Sequence, residues 1–186
     1  CKELKILTEC LNSTLLIAFV CNDMLHIYAY GDGYIILSKN NVVDIIEIKF
    51  SNKEKQSCPY YLSYLLSEDN KKAYIDKSPY LERIAYRITN EECRTNSAKL
   101  VYNMPTALNI SIKDVDCVIL TSDGLSSFVN TKTTEPLSCI DVVKNLCAFK
   151  STHGEFLKRR VLRMIENYAK QGVYHVDDLG ISAMVI

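Results

Sequence analysis

Three aspartates stand where an apolar run meets a turn: Asp32 in Tyr30-Gly31-Asp32-Gly33, Asp123 in Thr121-Ser122-Asp123-Gly124, and Asp177 in Val176-Asp177-Asp178-Leu179. Carboxylates at strand edges beside glycines are one way a sheet presents hard oxygen ligands to a divalent cation. Each has a plainer reading alone, because Asp bonds its local backbone and Gly accepts positive φ, which makes Asp-Gly a common turn pair. The set says more than its members. If the strands that carry them are neighbours, three carboxylates converge, and clustered anions repel unless a cation neutralises them or protons bind. The expected occupant is Mg²⁺ or Mn²⁺, since every candidate donor is an oxygen and no thiolate or imidazole accompanies them.

The elements that must position these residues are legible in part. Turn signals at regular spacing, with β-branched and aromatic residues between them, predict a meander of strands at 13–20, 24–30, 34–38 and 42–50. In Met24 to Tyr30 the alternation puts Leu25, Ile27 and Ala29 on one face. From Ser51 to Asn109 the pattern weakens around one helix-like stretch, Pro79 to Tyr86. Cys117-Val118-Ile119-Leu120 reads as a buried strand delivering Ser122-Asp123-Gly124. Two helices are expected next, from about Leu137 to Phe149 and from about Thr152 to near Gly172. Ser138 with Asp141, and Thr152 with Glu155, have capping-box spacing. Gly180 to Ile186 forms a last strand, introduced by Asp177 and Asp178.

Composition narrows the class. The chain has 186 residues, 48% hydrophobic and 24% charged, which suits one folded domain over 1–186 and argues against disorder. Lys plus Arg equals Asp plus Glu at 22 each, so no global field draws the chain to nucleic acid or an anionic membrane. Eight cysteines occur without one CxxC and the three histidines are isolated, so neither a zinc site nor a disulfide framework is expected. The longest apolar run, Leu15 to Cys21, is too short to span a bilayer. A reducing, cytoplasmic setting is the resulting expectation.

Asn12-Ser13-Thr14, Gly31-Asp32-Gly33, Ser122-Asp123-Gly124 and Asp177-Asp178, in this order and at these intervals, resemble the later motifs of the metal-dependent serine/threonine protein phosphatases, the protein phosphatase 2C family. Ser122-Asp123-Gly124 is the most specific piece, and Asp177-Asp178 is similar to the closing pair of the bacterial-like branch. The resemblance implies an α+β fold, an αββα sandwich of two antiparallel sheets with helices outside. It implies two or three Mg or Mn ions, with Asp123 and Asp177, or its neighbour Asp178, on the catalytic pair and Asp32 with Asp123 on a third. Gly33, Ser122 and Gly124 would lie near the site. The activity implied is hydrolysis of phosphoserine or phosphothreonine in a protein substrate, by water activated between two cations and without a protein nucleophile.

One departure matters. The family's early acidic segment, its Asp-Gly-x-Gly-Gly motif and its phosphate-binding arginine have no counterpart here, so the resemblance covers about the last three quarters of the family domain. The chain starts at Cys1. Either an N-terminal portion of the domain is missing from it, the favoured expectation because all three aspartates persist, or it is a non-catalytic module that binds or senses a phosphorylated partner. His175 beside Asp177 reads as structural rather than catalytic. Ser122, Ser126 and Ser127 have no histidine at a recognisable spacing, which disfavours a serine hydrolase. Tyr60, Tyr61, Tyr64, Tyr74, Tyr80 and Tyr86 are expected to serve mostly in core packing.

Overall fold

A computed structural model describes residues 11–40, 42–52, 54, 56–76, 80–87, 92–98 and 105–186, with the backbone alone for 80–87 and 92–98. The amino-terminal hairpin arises from its own residues. Strand β1 (Leu15–Cys21) turns through Asn22 and Asp23 into β2 (Met24–Tyr30). Both turn residues have positive φ, 49° and 59°, which Asn and Asp tolerate better than other side chains and which matches the twist of a two-residue hairpin. Leu25, Ile27 and Ala29 are all buried, as the alternation predicts.

β3 (Gly33–Lys39) and β4 (Val42–Ser51) form the second hairpin. The region between β4 and residue 109 is more ordered than its composition suggests: α1 (Glu68–Asp76), β5 (Tyr80–Arg87), β6 (Glu92–Ala98) and β7 (Thr106–Ser111) lie within it or begin in it. The helix expected over 79–86 is instead strand β5, with Pro79 outside the described residues. Antiparallel pairing with β4, Ser51 opposite Tyr80 through Asp44 opposite Arg87, overrides a local pattern too short to settle the period. Tyr60, Tyr64 and Tyr74 pack ring on ring at 4.9–5.5 Å, and the Tyr74 hydroxyl donates to Cys58 O at 2.6 Å. The core-packing expectation therefore holds for Tyr60 and Tyr74, both buried; the side chains of Tyr80 and Tyr86, like Cys1 and Cys10, lie outside the described residues.

The carboxy-terminal half adds β8 (Cys117–Thr121), β9 (Phe128–Asn130), α2 (Cys139–Cys147), α3 (Phe156–Lys170), β10 (Val173–His175) and β11 (Ile181–Val185). The two long helices stand where expected, but neither capping box forms. Ser138 caps α2 without a side-chain hydrogen bond, and α3 starts only after Glu155, so Thr152 lies a turn too early.

Strands order as β1-β2-β7 in one sheet and β11-β8-β3-β4-β5-β6 in a larger one, with a β9-β10 ribbon beside them. The fold is α+β, and every pairing is antiparallel. Leu25 and Ile27 of the small sheet meet Ile35, Ile48, Phe50, Val118 and Leu120 of the large one, so the sheets pack face to face. On the far side of the large sheet Ile36, Ile45 and Ile119 meet Val142, Val143 and Leu146 of α2 and Met164 and Tyr168 of α3. Each such fully buried aliphatic side chain contributes roughly 1.5–3 kcal/mol. The outer face of the small sheet leaves Leu15, Ile17 and Phe19 exposed. Among the described residues no helix is long and apolar enough to cross a membrane.

One polar clasp closes the sheet end away from the aspartates. Asp116 accepts from Lys39 Nζ and Asn40 N, both at 2.9 Å. The Lys39 bond, then the Asn40 amide, holds its carboxyl below the ordinary range. A lowered carboxyl stabilises the fold above its unfolded value and loses that contribution as pH falls through the folded one. Asp116→Asn is therefore expected to lower the melting temperature at pH 7, the difference from wild type closing in strong acid.

Candidate metal centre

Register brings the three aspartates to one end of the large sheet. Thr121, the last residue of β8, pairs with Tyr34 of β3 on one side and Ile181 of β11 on the other. Because both pairings are antiparallel, the start of β3, the end of β8 and the start of β11 share one edge. Asp32 lies two residues before Tyr34, Asp123 two after Thr121, and Asp177 four before Ile181.

Asp32 is half-buried, and Thr14 Oγ1 donates to its Oδ1 at 3.2 Å. Its carboxyl is pushed up, first by burial and then by the charge of Asp123, with Asp177 adding a smaller push; its own backbone and Thr14 oppose them. Asp123 and Asp177 are exposed. Asp123 opens a 3-10 turn, Asp123–Ser126, rather than a free loop. Tyr61 joins them, brought in where Gly31 N donates to Tyr60 O at 2.8 Å. Burial, then Asp32 and Asp123, push the Tyr61 hydroxyl up to about 12, so it stays protonated at neutral pH. Thr14 falls in a segment that the resemblance had marked; Tyr61 carries no sequence signal, because its place depends on a loop docking across the fold.

The turn before β11 is locked from the β8 side. Ser122 Oγ donates to Asp178 O at 2.9 Å and accepts from Gly180 N at 3.0 Å, and Ser122 N donates to Gly180 O at 3.0 Å. At about 1 kcal/mol net apiece, these three bonds tie the turn to β8. Asp178 N donates to Asp177 Oδ1 at 2.8 Å. Asp177 is thus the member of the pair whose charge reaches Asp32, whereas Asp178 meets Ser122 through its backbone carbonyl. His175 Nδ1 lies 3.0 Å from Asp177 O and the ring sits 5.6 Å from Phe128, which are structural contacts.

Two glycines near the site are there for space. Gly33 has φ +144°, and a Cβ on it would lie 2.6 Å from Thr121 O. A Cβ on Gly124 would lie 2.2 Å from Asp178 O and 2.8 Å from its carbonyl carbon, all backbone that can yield only by moving the turn.

The donor set suits a hard cation: carboxylates, with Asp32 disfavoured from ionising first by burial and then by the charges of Asp123 and Asp177. Among the described residues, however, no three His, Cys, Asp or Glu side chains gather at metal-ligating spacing. The aspartates sense one another without forming a finished chelate.

Gly124→Ala should cost about 1–3 kcal/mol in urea denaturation, the usual penalty of forced overpacking. Gly180→Ala, whose Cβ would meet Ser122 only at 3.8 Å, should cost clearly less. For Asp32 the sign is opposite to Asp116. A raised carboxyl favours the fold below its unfolded value and that contribution is lost as pH rises through the folded one. Without divalent cations, Asp32→Asn should raise the melting temperature at pH 7, with the gain vanishing below about pH 4. Compared with known proteins, the chain matches no family model, no curated protein and no solved structure.

Proposed function

We propose that this chain carries the metal-binding edge of a metal-dependent phosphatase acting on phosphoserine or phosphothreonine in proteins. One observation carries the reading: antiparallel register brings the three separate segments that carry Asp32, Asp123 and Asp177 to one edge of the sheet, where burial and then the charges of Asp123 and Asp177 push the Asp32 carboxyl up. The four-part motif resemblance supports it independently.

In this reading Asp123 and Asp177 hold the catalytic pair of Mg or Mn ions, and Asp32 with Asp123 a third. The bound ions would acidify water and offset charge on the phosphoryl oxygens. The protein's own part is positional. Ser122 and Gly124 keep the Asp177–Gly180 turn against β8, and Thr14 orients Asp32. Tyr61, protonated at neutral pH, offers a hydroxyl that can donate to a phosphoryl oxygen. A reducing, cytoplasmic setting fits the thiols of Cys21, Cys117, Cys139 and Cys147, none of them in a disulfide among the described residues.

A second reading, a phosphatase-like module that binds a phosphorylated partner without hydrolysing it, draws on the unfinished chelate among the described residues. Hydrolysis of p-nitrophenyl phosphate by the full-length protein separates the two. The enzyme reading expects Mn²⁺-dependent turnover that drops at least about 100-fold in Asp123→Ala, in line with loss of metal-centred charge stabilisation. Asp178→Ala should lose less than Asp177→Ala. Wild-type protein with no metal-dependent turnover sinks the enzyme reading.

A further inference from the structure

The junction of α2 and α3 forms a basic hollow that the aspartate site does not use. Phe149 follows α2 and Phe156 opens α3, and their rings meet edge to face with centroids 5.0 Å apart and planes at 82°. Against this aromatic floor, Lys150, Arg159, Arg160 and Arg163 help to line a cavity of about 180 Å³. Phe149 also lines a cleft with Asp116 and Cys117, at the start of β8. The hollow therefore belongs to the end of the sheet opposite Asp123.

Four positive charges meet here in a chain whose formal net charge is zero. Arg159 and Arg163 are four apart on α3, and Arg160 and Arg163 three apart, spacings at which like charges destabilise a helix. Nearby acids are engaged elsewhere, Glu155 with Lys158 at 3.4 Å and Glu166 with Lys170 at 2.8 Å. Glu166 feels Arg163 only weakly beside its bond to Lys170. Among the described residues none of the three arginines has a carboxylate partner within 4 Å.

Two of the guanidinium groups are aimed by backbone. Arg159 Nη2 donates to His153 O at 2.7 Å, and Arg160 Nε donates to Asn145 O. Each bond occupies one of five N–H donors and restricts the side chain, leaving donors free at low entropic cost. Planar forks over an apolar floor recognise a phosphate monoester in two ways: paired N–H groups take its oxygens, and the aromatic surface takes the carbon skeleton that carries it.

We propose that this hollow docks a phosphorylated segment of a partner protein, one phosphate monoester seated among Arg159, Arg160 and Arg163 with an adjacent apolar side chain on Phe149 and Phe156. The hollow is a bounded cavity of about 180 Å³ rather than an extended track. Nucleic acid would instead call for a track of charges along many phosphates, and a membrane for a broad apolar belt beside the basic one. The inference rests on neither reading of the aspartate site.

The test is fluorescence anisotropy with the full-length protein in EDTA, which keeps cations off the aspartates. The probes are a fluorescein-labelled apolar nonapeptide with one central phosphoserine and its unphosphorylated twin. Binding of the phosphopeptide alone is expected, weakened at least tenfold in Arg159→Ala/Arg163→Ala and less in Arg159→Lys/Arg163→Lys, which keeps the charge and loses the fork. Lys113→Ala/Lys132→Ala, which removes the same charge elsewhere, should bind as wild type, and circular dichroism should show every variant folded. Equal binding of the twin, indifference to the arginine variants, or tighter binding of a 15-nucleotide oligo(dT) or of phosphatidylserine vesicles would overturn the proposal.

Discussion

The antiparallel register that places Thr121 between Tyr34 and Ile181 is the constraint on which the rest of the structure depends. A strand side chain alternates faces with period two, so a slip of one residue in β8 would exchange its two faces. Val118 and Leu120 would leave the core between the sheets, and Cys117 and Ile119 would leave the layer beneath α2 and α3. Both cores resist that exchange, because all five residues of β8 are buried. The same register sets the chemistry, since it brings three chain segments out at one edge with an aspartate on each.

That edge sets firm backbone against unneutralised charge. Ser122 ties the turn before β11 to β8 with three hydrogen bonds, and Gly124 allows the backbones to approach within a distance that any Cβ would forbid. The carboxylates gain nothing from this closeness. Asp32, half-buried and facing two other acids, is held away from easy ionisation. In the proposed reading, a divalent cation bound at this edge would offset that repulsion.

The opposite end of the sheet has the complementary sign. Three arginines and a lysine crowd the α2–α3 junction over two phenylalanines, and backbone carbonyls rather than carboxylates hold two of the guanidinium groups in place. Net charge of zero thus conceals an acidic edge and a basic hollow separated by the length of β8. Coverage is uneven as well: α2 and α3 shield one outer face of the sheet pair, while Leu15, Ile17 and Phe19 stay exposed on the other.

Local pattern determined a good deal by itself. The spans of β1 to β4, the buried run Cys117–Leu120, the two carboxy-terminal helices and the turn position of each aspartate were legible, because periodicity and turn chemistry act over a few residues; the expected single meander was not, since β2 pairs with β1 and β7 while β3 pairs with β4 and β8 in the other sheet. Between Ser51 and Asn109 that signal failed: β5 looked helical until β4 paired with it, and the Tyr60–Tyr64–Tyr74 cluster depended on chain segments meeting. Capping boxes at Ser138 and Thr152 were present as spacing and absent as bonds: Ser138 stands at the N-cap of α2 without a side-chain hydrogen bond, and α3 starts only after Glu155. Sequence alone therefore determined which residues could do chemistry. Only the tertiary structure decided that the segments carrying Asp32, Asp123 and Asp177 share an edge, that the Asp178 carbonyl is tied to Ser122, and that the Tyr60–Tyr61 loop docks beside Gly31, because strand register and loop docking are non-local and leave no trace in any short window.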